Sequence, residues 1–296
     1  MSFQKIFILG AGAIGSCYGV LLSRKNDVTL IGTRAYVDAV KSHGLVIKGN
    51  VEGRFSVKTE TRISEVPPNS LIILTTKAQD AVEAAMQLEP LLRSDTVFLV
   101  LQNGLKIREL IQRAVGDKCE VVRGLVLMAA EFLEPGRITF WNGPTIIEHT
   151  KTGEKIQALF EKSGLEARVT VEIEKEEWSK LIVNSVINPL TAILRVRNNE
   201  IGVTSLKEIR HGIIEECSLV AEAEGIRFEH GLETEVDRKI RGYTNYSSMY
   251  QDIVKGKRTE IGFLNGKIVE LGRKHSIRTP VNETLAGLIR FMEDRK

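Results

Sequence analysis

Short apolar runs alternate with stretches of helical periodicity through the first part of the 296-residue chain. Each apolar run has the length of a buried strand, and each periodic stretch has the length of a short helix. This alternation predicts parallel strands joined by helices in a doubly wound sheet. The predicted strands are Lys5–Leu9, Val28–Ile31, Leu71–Thr75, Val97–Leu101 and Val121–Val126, and the predicted helices are Gly12–Ser23, Asp80–Leu92 and Ile107–Val115.

The hydrophobic period changes towards the second half of the chain. Three more short strands and one helix are predicted first, at Arg137–Trp141, Thr145–Glu148, Ala167–Val171 and Glu154–Lys162. After them only helical periodicity is found, at Lys175–Pro189, Leu206–Glu224, Glu233–Arg241, Ser247–Val254, Glu260–His275 and Pro280–Asp294. The predicted fold class is therefore α/β, with an N-terminal Rossmann-type doubly wound sheet in residues 1–172 and an all-helical C-terminal domain in residues 173–296.

Charge and cysteine content exclude several classes of protein. The net charge is only +3 and basic residues alternate with acidic ones, so we expect no nucleic-acid partner. No apolar run approaches the roughly 20 residues that cross a bilayer, and no signal-peptide core is found, so we expect a cytoplasmic protein without membrane contact. Cys17, Cys119 and Cys217 are far apart, and the histidines lack ligand spacing. We therefore expect neither a disulfide framework nor a metal site.

The sequence GAGAIG follows the first predicted strand and opens the first helix. In dinucleotide-binding proteins the first glycine permits a tight turn, the second admits the pyrophosphate, and the third permits close packing of helix on strand. The helix N-terminus then offers N–H groups and a positive dipole to the phosphates. A glycine-rich turn without a ligand is the alternative interpretation. The predicted cofactor-binding residues of this turn are Gly10, Ala11, Gly12, Ala13, Ile14 and Gly15.

The residues after the second strand bear on which dinucleotide binds. An NAD site usually has an acid here for the ribose hydroxyl, but this strand ends in GTR at residues 32–34 and Asp38 is the nearest acid. Arg34 therefore favours the 2′-phosphate of NADP(H); NAD(H) is the alternative cofactor, and a solvated loop position is the alternative role of Arg34. Lys77 and Asn103 follow two further strands, where ligands bind in open α/β sheets, although a lone lysine there is more often a surface residue.

Lys180, Asn184 and Asn188 interrupt an otherwise apolar helical stretch at intervals of four. Positions i, i+4 and i+8 drift by only about 80° on an α-helix, so the three side chains share one stripe. Leaving a buried amide unpaired costs about 1–3 kcal/mol, so this stripe must have protein partners or bind a ligand. A helix–helix contact with a lysine that reaches solvent is the alternative interpretation. Pro189 should end or bend the helix.

Motifs spread over nearly the whole chain occur in a specific combination. They are GAGAIG, Lys77 after LTT, QNG at 102–104, KLIVNSVINPLTAI at 180–193, SSMYQD at 247–252 and TEIGFLNG at 259–266. In this combination the chain resembles the ketopantoate reductases (2-dehydropantoate 2-reductases) of the 6-phosphogluconate-dehydrogenase-like superfamily.

The resemblance implies a role for each polar residue of these motifs. Lys180 would be the general acid, and Glu260 would bind a substrate hydroxyl and help to position the lysine. Asn103 would lie between cofactor and substrate, and both Asn103 and Glu260 are also expected to contact the cofactor. The hydroxyl and carboxylate ends of the substrate would be held by Asn184, Asn188 and Ser248. Without a ligand, Glu260 would be a helix N-terminal acid favoured by the dipole, and Ser248 an ordinary helix N-terminal residue.

The resemblance also implies a reaction. It is the NADP(H)-dependent reduction of 2-dehydropantoate to (R)-pantoate, on the route to pantothenate and coenzyme A, so the expected partner is a small keto acid. A reductase of another 2-keto or 3-hydroxy acid on the same scaffold is the main alternative. A non-catalytic NADP(H) sensor would have no use for Lys180 with Glu260, and a helical interaction module would not need all three glycines. The helices after Leu206 carry enough apolar surface for a homodimer, although the same residues could form an intramolecular core.

Overall fold

A computed structural model describes residues 3–229 and 231–295. These residues form two compact units. One unit comprises the chain up to Gln102 together with Lys106–Ile173, and the other comprises Asn103–Leu105 together with the chain from Glu174 onward. A three-residue segment that follows a strand of the first unit thus belongs to the second unit.

The first unit contains strands and helices in alternation, and its mostly parallel main sheet confirms the predicted fold class. An eight-stranded sheet has the order β12-β11-β8-β7-β6-β1-β2-β5, and a four-stranded sheet has the order β4-β3-β10-β9. The strands are β1 (Lys5–Leu9), β2 (Val28–Ile31), β3 (Leu45–Gly49), β4 (Gly53–Phe55), β5 (Lys58–Glu60), β6 (Ser70–Leu74), β7 (Val97–Val100), β8 (Glu120–Val126), β9 (Ala129–Glu134), β10 (Arg137–Trp141), β11 (Thr145–Glu148) and β12 (Ala167–Thr170). The helices are α1 (Ala13–Ser23), α2 (Arg34–His43), α3 (Ala78–Leu88), α4 (Ile107–Val115) and α5 (Lys151–Lys162).

The centre of the larger sheet consists of apolar strands. Ile8 of β1 lies opposite Leu30 of β2 and Ile73 of β6 in parallel register, and all three side chains are fully buried. Continuous β-branched and leucine runs of this kind are typical of parallel strands that are covered on both faces. This packing aligns the carboxyl ends of β2, β1, β6 and β7 along one edge, where ligands bind in open α/β sheets.

Five elements of the first unit were not predicted, namely α2, β3, β4, β5 and β9. Strands β4 and β5 have three residues each and carry charged side chains, so no apolar period marks them. They are held by pairing instead, since β4 is antiparallel to β3 and β5 is parallel to β2. Helix α2 begins within the segment that the sequence analysis treated as the loop after β2.

The second unit is helical, as the periodicity predicted. Its helices are α6 (Ile173–Leu194), α7 (Lys207–Ala223), α8 (Leu232–Gly242), α9 (Ser248–Val254), α10 (Asn265–Lys274) and α11 (Pro280–Asp294). Short 3-10 turns at Asn198–Gly202, Thr204–Leu206 and Ile261–Phe263 connect them. Leucine, isoleucine and valine side chains from these helices form one buried core, which also includes Leu105.

Two helix boundaries in this unit differ from the prediction by five residues, the others by at most two. Pro189 does not end α6, which continues to Leu194. The carbonyl of Ser185, which loses its ordinary donor at the proline, accepts a hydrogen bond from the side chain of Asn265 instead. Helix α10 begins at Asn265 and not at Glu260, because the intervening residues form a 3-10 turn.

Among the described helices, none is long and apolar enough to cross a membrane. In the same part of the chain, no group of three or more His, Cys, Asp or Glu side chains is arranged to hold a metal ion.

Candidate active site

The glycine turn after β1 is held against the ends of two neighbouring strands. Gly10 has a φ of +114°, and a Cβ at this position would lie 2.5 Å from the backbone nitrogen of Thr76 after β6. On the other side, the N–H groups of Gly10 and Ala11 donate to the carbonyl of Ile31 at 3.1 and 2.8 Å. The turn therefore needs glycine at its first position for both conformation and space.

The other two glycines of the turn have different surroundings. A Cβ on Gly15 would lie 2.2 Å from the Gly10 carbonyl oxygen, so only glycine lets α1 approach β1 this closely. Gly12 is the N-cap of α1, is exposed, and has nothing within 4 Å of an added Cβ. Because the N-cap has no side chain, no side-chain group caps the first turn of α1, which includes Ala13 and Ile14. The turn thus presents backbone donors and open space where a phosphate could approach.

The end of β2 contains the candidate recognition residue for the nucleotide ribose. Thr33 caps α2 by accepting a hydrogen bond from Tyr36 N, and Arg34 is the first residue of that helix and not a loop residue. The Arg34 side chain is 80% exposed, and its Nε lies 3.5 Å from the Asp38 carboxylate. An exposed pair of this kind contributes little stability, so the guanidinium can be redirected to a ligand at small cost. Tyr36 also bonds Ser16 of α1 at 2.8 Å through its hydroxyl, which ties α2 to α1.

Lys77 lies after the end of β6, beside the glycine turn. It is the N-cap residue of α3, with extended backbone and a half-buried side chain. Two residues earlier, the Thr75 hydroxyl donates to the Gly10 carbonyl at 2.8 Å. The hydrogen bond and the close approach at Gly10 bring the segment that leads to Lys77 against the glycine turn.

Gln102 and Arg123 support the same edge of the sheet, and the sequence analysis did not select either side chain. Gln102 Nε2 donates to the carbonyls of Leu74 and Thr76 at 2.9 and 3.1 Å. Arg123, only 2% exposed, donates to the carbonyls of Val100 and Gln102 at 3.0 and 2.9 Å. Its guanidinium therefore satisfies carbonyls where β7 ends. The sequence signal that could have identified Arg123 is its charge inside the otherwise apolar strand VVRGLV.

The stripe of polar residues predicted on one helix lies along α6 in the helical unit. Lys180 and Asn184 are half-buried, and Asn188 is 5% exposed. Within the described residues, no hydrogen bond joins the side-chain amide of Asn184 or Asn188 to another protein group. The hydrogen bonds of the described residues therefore do not support the alternative interpretation, in which other helices satisfy both amides.

Asn103 and Glu260 are joined directly, although 157 positions separate them in the chain. The Asn103 side-chain amide donates to Glu260 Oε2 at 2.9 Å, and both residues belong to the helical unit. Glu260 immediately precedes the 3-10 turn Ile261–Phe263, and the Thr259 hydroxyl accepts the N–H of Ile261 at 3.2 Å. The amide of Asn103 therefore orients the carboxylate, which has about four lone-pair sites in all.

The SSMYQD segment contains two adjacent serines, one that caps a helix and one that was predicted to bind substrate. Ser247, and not Ser248, is the buried N-cap of α9, where its hydroxyl accepts from Tyr250 N at 3.1 Å. The Thr191 hydroxyl of α6 also donates to Ser247 at 2.7 Å. Ser248 is the first residue of α9 and is exposed. The segment is thus attached to α6 through Ser247, and substrate binding by Ser248 stays a prediction.

The three cysteines are free and buried. Burial raises the pKa of the Cys17 thiol to about 12 and that of Cys119 to about 11, and it also raises the pKa of Cys217. All three are therefore protonated at neutral pH, which argues against a thiolate nucleophile.

These features define a class of protein. A glycine turn opens a helix at the carboxyl edge of a parallel sheet, and a separate helical unit carries a lysine, two asparagines and a carboxylate on neighbouring segments. This is the arrangement of a dinucleotide-binding protein with a second, helical unit.

Comparison with known proteins gives the family. Residues 6–152 match the family described as "Ketopantoate reductase PanE/ApbA", and residues 172–293 match "Ketopantoate reductase PanE/ApbA C terminal". A 2-dehydropantoate 2-reductase of Pyrococcus horikoshii is 38% identical over 98% of each chain. The chain belongs to the ketopantoate reductase family.

Solved structures agree with this assignment. A PanE/ApbA family ketopantoate reductase from Ralstonia eutropha has a TM-score of 0.91 at 30% identity, covering 98% of this chain and 99% of its own. A D-mandelate dehydrogenase solved with NADH and anilino(oxo)acetate has a TM-score of 0.87 at 29% identity over 98% of both chains. The same fold therefore occurs in proteins named for different 2-oxo or 2-hydroxy acids.

Alanine at Gly12 and at Gly15 should separate ligand binding from folding. Gly15→Ala should lower the free energy of unfolding by about 1–3 kcal/mol, because its Cβ would overlap the Gly10 carbonyl. Gly12→Ala should cost at most about 1 kcal/mol, the effect of a poorer N-cap, since its Cβ meets nothing. It should nevertheless weaken dinucleotide binding at least about tenfold, or about 1.4 kcal/mol.

Thermal unfolding and a fluorescence titration with NADPH and NADH measure both effects. Unchanged nucleotide affinity in Gly12→Ala would show that the phosphates do not approach this glycine.

Proposed function

We propose that the protein reduces 2-dehydropantoate to (R)-pantoate with a reduced nicotinamide dinucleotide, in the synthesis of pantothenate and coenzyme A. The observation that carries the proposal is the hydrogen bond between Asn103 and Glu260, in the same unit as the polar stripe on α6. It brings together residues of two motifs that lie far apart in the sequence. The curated relatives named 2-dehydropantoate 2-reductase, at 38% and 36% identity, support the same substrate.

The glycine turn fits the dinucleotide. Gly12 offers the uncapped first turn of α1, and the space beside it would admit a pyrophosphate. The bound cofactor would supply a hydride to the ketone carbon of the substrate. The turn's contribution is to bind and orient the phosphates, through the backbone N–H groups of residues 13–15, since the N–H of Gly12 donates to the Gly10 carbonyl.

Lys180 is the proposed general acid. As the ketone carbon becomes tetrahedral, its oxygen gains negative charge and must finally gain a proton. The Lys180 ammonium can stabilise that charge and then donate the proton, since it carries three N–H donors and a positive charge. Its half-buried position on α6 would strengthen the interaction relative to a fully solvated lysine.

Glu260 and the amides are the proposed binding groups for the rest of the substrate. 2-Dehydropantoate has a primary hydroxyl and a carboxylate besides its ketone. Glu260 would accept from the hydroxyl, because the bond from Asn103 occupies only part of its acceptor capacity. The amides of Asn184 and Asn188, with the Ser248 hydroxyl, would donate to the hydroxyl and carboxylate oxygens. The amide of Asn103 would lie where substrate and nicotinamide meet.

Arg34 is the proposed determinant of cofactor choice. Its exposed guanidinium at the start of α2 suits the 2′-phosphate of NADPH, and no acid stands in the usual place for an NAD ribose. NADH is the alternative, because the similar D-mandelate dehydrogenase was solved with NADH.

That same structural likeness favours a second candidate function. D-Mandelate is a 2-hydroxy acid, and its dehydrogenase shares the fold over 98% of both chains. Reduction of another small 2-keto acid on this scaffold would use the same lysine and cofactor turn. The two candidates differ in the group that Glu260 would bind, because 2-dehydropantoate brings a primary hydroxyl to it and the keto acid that corresponds to mandelate does not.

The rates with both cofactors test the reaction and the role of Arg34 together. We expect rapid loss of nicotinamide absorbance with 2-dehydropantoate, and a kcat/KM for NADPH at least about tenfold above that for NADH, as a charge-assisted phosphate contact implies. Arg34→Ser should bring this ratio close to one. Arg137→Ser, which removes an exposed arginine on β10 paired with Glu134, should leave it unchanged.

A ratio that survives in Arg34→Ser would reject the role of the arginine. Wild-type turnover of other 2-keto acids, without turnover of 2-dehydropantoate, would select the second candidate function.

Lys180→Ala and Glu260→Ala should have different kinetic effects. Loss of the general acid should lower kcat by about 10²–10⁴-fold. Loss of Glu260 should mainly raise KM for 2-dehydropantoate, with a smaller effect on the affinity for NADPH. Lys274→Ala, which removes an exposed lysine paired with Glu224 at 2.6 Å, is the control for loss of charge. Undiminished kcat in Lys180→Ala, or a change in cofactor affinity alone in Glu260→Ala, would contradict the assigned roles.

A homodimer formed through the helical unit is also part of the proposal. Several apolar side chains of this unit are at least two-fifths exposed, among them Val203, Ile209, Leu219, Leu288 and Phe291. Light scattering should give about twice the chain mass of 33.0 kDa at micromolar concentration. A mass equal to that of one chain would exclude this assembly.

A further inference from the structure

Pro189 leaves one backbone carbonyl of α6 without its ordinary donor. In an α-helix the Ser185 carbonyl would accept from the N–H four residues later, and proline has none. Asn265 Nδ2 donates to this carbonyl at 2.9 Å instead. Asn265 is the first residue of α10 and is completely buried. A side chain from one helix thus closes a gap in the hydrogen-bond ladder of another.

The Asn265 side chain belongs to a relay of buried, hydrogen-bonded groups formed by Asn265, Asn282 and Glu216. Asn265 Nδ2 also donates to Asn282 Oδ1 at 2.9 Å, and Asn282 Nδ2 donates to the Glu216 carboxylate at 2.7 Å. Glu216 further accepts the N–H groups of Val281 and Asn282 at 2.8 and 2.9 Å, which anchors it to the start of α11. Both ends of the relay, a carboxylate and a carbonyl, can only accept. The two amides therefore have a single satisfactory orientation.

The asparagine at position 265 has an energetic cost. Asn265 Oδ1 is buried and has no hydrogen-bond partner within the described residues. A buried polar atom without a partner is unfavourable, so an apolar residue would suit this position better if packing alone mattered. Only a donor can serve the Ser185 carbonyl from α10, which accounts for an amide at this place.

The bond from Asn265 connects the segments that carry the proposed catalytic groups. On one side, Ser185 directly follows Asn184, and Lys180 is less than two turns earlier on α6. On the other side, a single 3-10 turn links Glu260 to α10, and Phe263 N donates to the Glu260 carbonyl at 2.9 Å. This turn packs tightly on α10, since a Cβ on Gly266 would lie 3.1 Å from the Ile261 carbonyl oxygen.

We propose that Asn265 is a positioning residue that holds Glu260 in register with Lys180 and Asn184, by bonding the carbonyl that Pro189 leaves open. The proposal rests on the proposed function, because it concerns the alignment of groups assigned to the keto-acid substrate. Asn265 does not itself contact the substrate in this role. It acts through the relative placement of α6 and the turn that precedes α10.

The first test is Asn265→Ala in the full-length protein. It leaves two acceptors, the Ser185 carbonyl and Asn282 Oδ1, without their donor. We expect kcat/KM for 2-dehydropantoate to fall at least about tenfold, because small misplacements of catalytic groups have large effects on rate. The affinity for NADPH, measured by fluorescence titration, should change by less than about twofold, since the glycine turn belongs to the other unit.

Asn265→Ala in a Pro189→Ala background tests whether Asn265 positions α10 or only completes the hydrogen bonding of α6. Alanine at 189 restores an N–H for the Ser185 carbonyl, so α6 no longer needs the amide to complete its ladder. In this background Asn265→Ala should have a smaller effect on the unfolding temperature than it has alone. It should still lower kcat/KM at least about tenfold relative to Pro189→Ala, because the bond between α6 and α10 is absent.

Val236→Ala controls for loss of stability, since this residue of α8 is completely buried and lies outside the relay. It should lower the unfolding temperature without a tenfold loss of kcat/KM. Full activity in Asn265→Ala, or recovery of activity together with stability in the double variant, would overturn the proposal. Wild-type protein that binds NADPH but reduces no keto acid would instead reject the proposed function, and the inference with it.

Discussion

Helix α1 can pack against β1 only because Gly10 and Gly15 carry no side chain. An added carbon at Gly15 would lie 2.2 Å from the Gly10 carbonyl oxygen, and one at Gly10 would lie 2.5 Å from a backbone nitrogen after β6. The ends of β1, β2 and β6 therefore approach each other through backbone atoms, as the hydrogen bonds from Gly10 and Ala11 to Ile31 show. The uncapped start of α1, the edge that leads to Lys77, and the start of α2 with Arg34 all depend on this close approach.

In both units, buried side-chain donors bond backbone carbonyls, although different residues supply the donors. At the carboxyl edge of the sheet, Gln102 and Arg123 donate to carbonyls at the ends of β6 and β7. In the helical unit, Asn265 donates to the carbonyl that Pro189 leaves open on α6. In each case a buried side-chain donor bonds a backbone carbonyl, and leaving a buried acceptor unpaired would cost about 1–3 kcal/mol. These donors fix the backbone from which the candidate active-site residues project.

The two units are suited to different parts of the proposed chemistry. The glycine turn is suited to phosphates because it offers backbone donors and, at Gly12, open space in place of a side chain. The helical unit is suited to a small hydroxylated keto acid because it presents an ammonium, neutral amides and one carboxylate oriented by Asn103. Family membership and the likeness to a D-mandelate dehydrogenase agree that this scaffold serves 2-oxo or 2-hydroxy acids, while the residues around Glu260 would select among them.

The sequence by itself determined the parallel sheet, the helical second half, the glycine turn and the polar stripe on α6, because each depends on local periodicity or spacing. It did not reveal β3, β4, β5 and β9, which are held by strand pairing and not by their own hydrophobic period. It placed the end of a helix at Pro189 and the start of another at Glu260, and both were wrong. Only the tertiary structure supplies the Asn265 amide that lets α6 continue, and only it brings Asn103 to Glu260 and Thr191 to Ser247. These are contacts between residues far apart in the chain, and no local pattern encodes which donor will reach which acceptor.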